Sequence, residues 1–219
     1  MLFSFAACGE EKMAEKPSVF TVSLTVSVKG TLQLSCQAIE LPDVDVNGEA
    51  TLDQVLQVAH ANYCHEENAY KTEDGGYGLA LTCLWGDDNG VSGYGYYIND
   101  KPAMNLEDKV KNGDSVCAFS YKDLETWSDT YTWFSDVKQD GKTCSFKLLK
   151  AGYDEAWNPI DLPAANCTVN ANGTDVCTTN ENGEGSFSIE SIPTDMAIFL
   201  TVSKTDENLV PPVKIVLPR

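Results

Sequence analysis

Residues 20–28 alternate strictly, with Phe20, Val22, Leu24, Val26 and Val28 apolar and Thr or Ser between them. A period of two predicts a strand with one buried face. A second alternating run, Leu32, Leu34 and Cys36, follows Lys29-Gly30. A two-residue turn containing glycine between two such runs predicts a hairpin. The spacing then changes. Leu52, Val55, Leu56, Ala59 and Tyr63 fall at helical intervals and make one apolar face. Thr51 and Gln54 sit where a capping box would start that helix, which should end near Cys64-His65. Three more strands are predicted, at 79–84, 94–98 and 116–121. Hairpin, helix and three strands is the element order of a β-grasp sheet.

After this point the pattern shortens. Strand-like runs at 144–149, 166–169, 176–179, 186–189, 197–203 and 213–217 are broken by Gly, Asn, Asp and Pro. Short strands at this spacing predict a small all-β sandwich. The joining stretch 124–134 is rich in aromatics, so Trp127, Tyr131, Trp133 and Phe134 are expected to pack between the halves. The chain thus reads as mainly β with one helix, in three parts. Residues 1–16 form a leader remnant and charged tether, 17–124 an α+β domain of β-grasp type, and 125–219 an immunoglobulin-like sandwich.

Composition narrows the function. The 219 residues carry 33 acidic and 15 basic side chains, a formal net charge of −18. Nucleic-acid binding needs clustered Lys and Arg, so that class is set aside. An acidic surface is also repelled by anionic bilayers, which leaves a covalent anchor as the route to a membrane. Eight cysteines without any C-x-x-C pair suggest an oxidising compartment and weaken zinc-ribbon and thioredoxin-like readings. The segment Leu2-Phe3-Ser4-Phe5-Ala6-Ala7-Cys8-Gly9 resembles the tail of a bacterial lipoprotein signal, in which the cysteine is acylated and becomes the first mature residue. It lacks a basic start and its apolar run is short. Lipidation is expected at Cys8, with an extracytoplasmic, surface-anchored location. Seven cysteines then remain, so at least one stays unpaired.

The stretch from Trp85 to Tyr121 carries the most specific pattern. An aromatic strand (Tyr94, Tyr96, Tyr97) enters an Asn99-Asp100 turn, and Asn112-Gly113-Asp114 introduces the last strand. This resembles a bacterial surface domain of unknown function related to the C-terminal β-domain of transcobalamin and intrinsic factor. The resemblance implies a β-grasp fold and binding rather than catalysis, with a corrinoid among the implied ligands. The separate helical domain that assists cobalamin binding in transcobalamins has no counterpart here. Farther on, 178–187 resembles the strand-after-Asn-Gly pattern of bacterial immunoglobulin-like and prealbumin-like surface modules. In the β-grasp order the strands bearing Cys83 and Cys117 should be neighbours, which makes these two the expected disulfide.

Candidate chemistry is sparse. Asp43-Val-Asp45-Val-Asn47-Gly48 resembles the start of an EF-hand or dockerin calcium loop, making Asp43, Asp45 and Asn47 possible metal ligands. The closing carboxylate is missing, since Gln54 stands in its place, and an Asx-rich turn into the helix cap is the favoured reading. No cofactor other than calcium is suggested. The two histidines, His60 and His65, form no catalytic motif, and neither a nucleophile elbow nor a phosphate loop is present. The protein is therefore read as a non-enzyme.

The expected ligand site is Trp85, Tyr94, Tyr96 and Asn99 beside the glycine-rich 86–95 connection. Aromatics with a nearby amide suit a glycan, a flat small molecule or a surface protein. A surface-tethered binding or adhesion protein is the leading function. Small-molecule capture, with a corrinoid as the ligand the resemblance implies, comes next, then a structural spacer, with a secreted hydrolase last.

Overall fold

The alternating apolar residues at the start of the chain do form a strand, and its polar partners face the other way. The computed structural model describes residues 19–42, 44, 48–192 and 197–217. In the first half these fold as β1 (Phe20–Val28), β2 (Thr31–Leu41), β3 (Glu49–Thr51), α1 (Leu52–Tyr63), β4 (Tyr70–Asp74), β5 (Leu79–Leu84), β6 (Asp87–Asp88), β7 (Tyr94–Ile98), β8 (Lys101–Pro102), β9 (Lys109–Lys111) and β10 (Ser115–Ser120). The protein is mainly β with one α-helix among the described residues.

The principal sheet has the order β2-β1-β10-β7-β8. At its centre β1 runs parallel to β10, while β2 and β7 add on antiparallel. Turn chemistry sets these pairings. Lys29 and Gly30 both take positive φ between β1 and β2, and Asn99 and Asp100 do so between β7 and β8. That backbone twist matches the twist of the strands it joins.

Helix α1 covers one face of this sheet. Its N-cap is Thr51, whose Oγ1 accepts from the Gln54 N–H while Gln54 Oε1 accepts from the Thr51 N–H at 2.8 Å. Such a cap is worth about 1 kcal/mol. The helix buries Leu52, Val55, Leu56 and Ala59 against Val22, Leu24, Val26, Val116 and Ala118. Burial of each larger apolar side chain contributes roughly 1.5–3 kcal/mol. Tyr63, expected on this apolar face, is exposed at its end.

Past residue 124 the strands are β11 (Thr130–Asp140), β12 (Thr143–Tyr153), β13 (Pro159–Pro163), β14 (Thr168–Ala171), β15 (Thr174–Thr178), β16 (Glu184–Ser188), β17 (Ile198–Ser203), β18 (Leu209–Val210) and β19 (Lys214–Val216). One sheet has the order β13-β12-β11-β18, with β16 also paired to β12; another has the order β15-β14-β17-β19. Both supply residues to one core, including Phe134, Phe146, Leu148 and Phe187 from the first and Val169, Ile198 and Leu200 from the second. Every strand pair among the described residues lies within 20–120 or within 130–216.

Two expectations need correction. Cys83 and Cys117 are not on neighbouring strands: β5 pairs with β4 and β6, whereas β10 pairs with β1 and β7. Both thiols are free, and the Cys83 Sγ–H donates to the Ala69 carbonyl at 3.5 Å. The physical reason is that 79–84 leaves the main sheet to form a separate three-stranded sheet. The second correction concerns 124–134. Residues 130–134 are the start of the long strand β11 rather than a connection, and Phe134 packs into the second core.

Candidate functional site

Each strand facing the junction between the halves sorts its side chains by alternation. On β10, Val116 and Ala118 point toward α1, and Cys117 and Phe119 point away from it. On β7, Tyr94 and Tyr96 join the α1 side, while Tyr97 lies on the opposite face. Strand β11 meets that face with Tyr131 and Trp133, while Phe134 turns inward to its own core. Cys117, Phe119, Tyr131, Trp133 and Val210 therefore make a third buried cluster, with Tyr97 and Tyr121 at its margin.

The rings are ordered. Tyr97 and Tyr131 lie nearly parallel with centroids 3.6 Å apart, and Tyr131 is followed by Trp133 at 5.7 Å. Aromatic pairs of this kind add about 0.5–1.5 kcal/mol beyond the area they bury. Gly95 makes room for the stack: a Cβ there would lie 2.3 Å from the Phe119 ring. The Tyr131 hydroxyl donates to Asp100 Oδ1 at 2.9 Å, which ties β11 to the β7–β8 turn. Burial pushes the Asp100 carboxyl above its ordinary range, and the Tyr131 hydroxyl partly offsets this.

At the end of this stack opens a cleft of about 90 Å3. Its aromatic walls are Tyr97, Trp133 and Tyr153, and its charged groups are Asp100, Asp161 and Lys101. Tyr153 is the last residue of β12, where it is 61% exposed, and Trp157 in the turn to β13 is 81% exposed. That turn is internally braced. Asp154 accepts from the backbone N–H groups of Ala156 and Asn158 and from the Asn158 amide. These contacts hold the Asp154 carboxyl below the usual range. Among the described residues, none bonds to the hydroxyls of Tyr97, Tyr121 or Tyr153 or to the indole N–H of Trp133. Burial raises the Tyr97 and Tyr121 hydroxyls above the ordinary tyrosine value, which keeps both protonated as donors.

The residues expected to bind ligand lie elsewhere. Tyr94 and Tyr96 are only 7% and 8% exposed and are bonded within the first core. The Tyr94 hydroxyl donates to the carbonyls of Thr82 and Asp87, and the Tyr96 hydroxyl accepts from the Leu81 N–H at 2.9 Å. Burial pushes the Tyr96 hydroxyl up to about 12. Half-buried Trp85 packs on His60 at 4.1 Å, and its backbone N–H donates to His60 Nε2 at 3.1 Å. Asn99 is exposed and braces the turn, donating to Asp114 and accepting from the Ser115 N–H. These four residues do not converge on a groove. Tyr97, set among the strand aromatics but left out of the expected site, is the one that reaches the cleft.

The two acidic residues in 86–90 are ion-paired, Asp87 with Lys29 and Asp88 with Lys71. Asp43, Asp45, Asn47 and Cys8 lie outside the described residues. Three larger depressions are open: polar ones of about 640 Å3 beside β12 and β16 and of about 380 Å3 where Lys29, Lys122 and Lys204 meet, and a more apolar one of about 510 Å3 between the end of β2 and α1. None is walled by stacked rings. Tyr153 and Trp157 were not singled out in the sequence. The signal available was two aromatics, one just before and one inside the turn-forming run Asp154-Glu-Ala-Trp-Asn-Pro159.

No protein-family model matches this chain, and no curated protein or solved structure matches it either.

Proposed function

We propose that this chain is an extracytoplasmic, surface-tethered binding or adhesion protein without catalytic activity, and that it engages its ligand at the Tyr97–Trp133–Tyr153 cleft. The observation that carries this reading is a cleft lined by three aromatic rings, Tyr97, Trp133 and Tyr153, whose polar tips have no partner among the described residues. Rings that present area while offering unused donors are the usual makings of a recognition surface. Tyrosine and tryptophan also supply contact area at low entropic cost.

In this reading the first half is a β-grasp-like domain of the transcobalamin-related type, spanning 17–124. The central parallel pairing of β1 with β10, the hairpin beside it and the single helix on one face support that assignment. The second half, 125–219, is an immunoglobulin-like sandwich, supported by its two sheets around one core. Acylation of Cys8 provides the tether. The cleft's volume favours a small protruding group over a whole corrinoid macrocycle. A rigid spacer is the second reading, because the stacked aromatics that join the halves would serve it equally well.

Glycan arrays and pull-downs from surface extracts, run with the wild-type protein and with Tyr153→Ala, test the binding reading. Capture that weakens in the variant supports it. Blank screens with both proteins favour the spacer. Mass spectrometry of native protein tests the tether, which requires a lipid on Cys8 at the mature terminus.

A further inference from the structure

The cleft's contents narrow the chemistry of what enters it. Its volume of about 90 Å3 equals roughly three waters at bulk density, well below the 300–1,000 Å3 of pockets that enclose a drug-sized ligand. One small group fits, not a whole ring system. Three aromatic side chains line it together with the carboxylates of Asp100 and Asp161. The negative faces of aromatic rings attract cations, and the two carboxylates outnumber the one cation in the lining, Lys101.

The acceptors there are partly engaged already. Asp100 accepts from Tyr131, and Asp161 lies 3.6 Å from Lys101. A primary ammonium, which needs three good acceptors to replace its water, would be poorly served. A methylated ammonium carries its charge on a weakly hydrated surface and asks only for rings and a diffuse negative field. The chain's formal charge of −18 draws cations toward the site from a distance.

We propose that the cleft recognises a quaternary methylammonium head of the choline type, an inference that rests on the binding role assigned to this cleft. Tyr97 and Trp133 form its fixed walls, held by the stack with Tyr131. Tyr153, at the end of β12 next to the braced turn, is the outer wall. Asp161 and Asp100 supply the negative charge.

The test uses the full chain labelled with 15N and the indole N–H resonance of Trp133 as readout. The probes are choline, its uncharged carbon isostere 3,3-dimethylbutan-1-ol, ethanolamine and N-acetylglucosamine. Choline is expected to shift the Trp133 signal saturably and to bind about tenfold tighter than the isostere or ethanolamine. Tyr153→Ala should weaken choline about tenfold; because Tyr153 is largely exposed, this change spares the core. Asp161→Asn should weaken it severalfold and reduce its salt dependence. Equal affinity for choline and the isostere would overturn the cationic assignment. A Trp133 shift with the sugar and none with choline also overturns it, while leaving binding at the cleft intact. No response to any probe removes the choline inference. The role of the cleft then stands or falls separately on whether ligand capture depends on Tyr153.

Discussion

The ring of Tyr97 lies 3.6 Å from that of Tyr131 at an interplanar angle of 12°, and the two residues belong to different halves of the chain. The outer face of the principal sheet is thus covered by β11, just as its inner face is covered by α1. A double-mutant cycle on Tyr97→Leu and Tyr131→Leu should return a coupling of about 0.5–1.5 kcal/mol in denaturant unfolding. Additive losses would mean that the two rings do not stabilise one another in solution.

Gly95 has no special backbone angle; its role is to leave room for Phe119. Gly95→Ala should therefore cost about 1–3 kcal/mol, the usual range for overpacking. Thermal denaturation checks this, and Phe119→Leu should recover part of the loss by clearing the ring from the new methyl group. A neutral Gly95→Ala result contradicts the close approach.

His60 makes stability depend on pH. Its Nδ1 lies 2.8 Å from the Leu56 carbonyl, and its Nε2 accepts from the Trp85 N–H, so the neutral ring carries its proton on Nδ1. Burial, opposed by the Leu56 bond, lowers its pKa from 6.5 to about 4. The folded state holds His60 neutral where the unfolded chain would protonate it. The stabilising contribution is complete above pH 6.5 and is lost as pH falls toward 4, amounting to about 3 kcal/mol. Urea titrations across that window should show the decline, and His60→Gln should flatten it. An unchanged slope in the variant assigns the effect to other groups.

Free thiols at Cys83 and Cys117 predict that non-reducing peptide mapping recovers the two residues in separate peptides. A peptide joining them would contradict the placement of β5 outside the principal sheet.

What was legible in the sequence was local. The Thr51–Gln54 cap, the Lys29-Gly30 turn and the Asn99-Asp100 turn each depend on residues within four positions, and each is found in place. Alternation correctly put Tyr94 and Tyr96 on one face and Tyr97 on the other. It could not say which face meets which layer, because this sheet is covered on both sides. Strand neighbourhood was equally hidden: Cys83 and Cys117 both sit in apolar runs, and only long-range pairing separates their sheets. Strand β13 begins and ends with proline and pairs at the edge of its sheet, so its composition reads as loop. The cleft draws its aromatic walls from β7, β11 and β12, segments more than 30 residues apart in part, and no local pattern brings them together.

The chain has four tryptophans, and each offers one indole N–H resonance to a two-dimensional NMR spectrum. Titrating a captured ligand into 15N-labelled protein therefore locates the site directly. Binding at the junction predicts saturable shifts of the Trp133 signal, accompanied by Trp157, with Trp85 and Trp127 unmoved. Shifts confined to Trp85 or Trp127 would place the ligand away from the cleft and contradict the account.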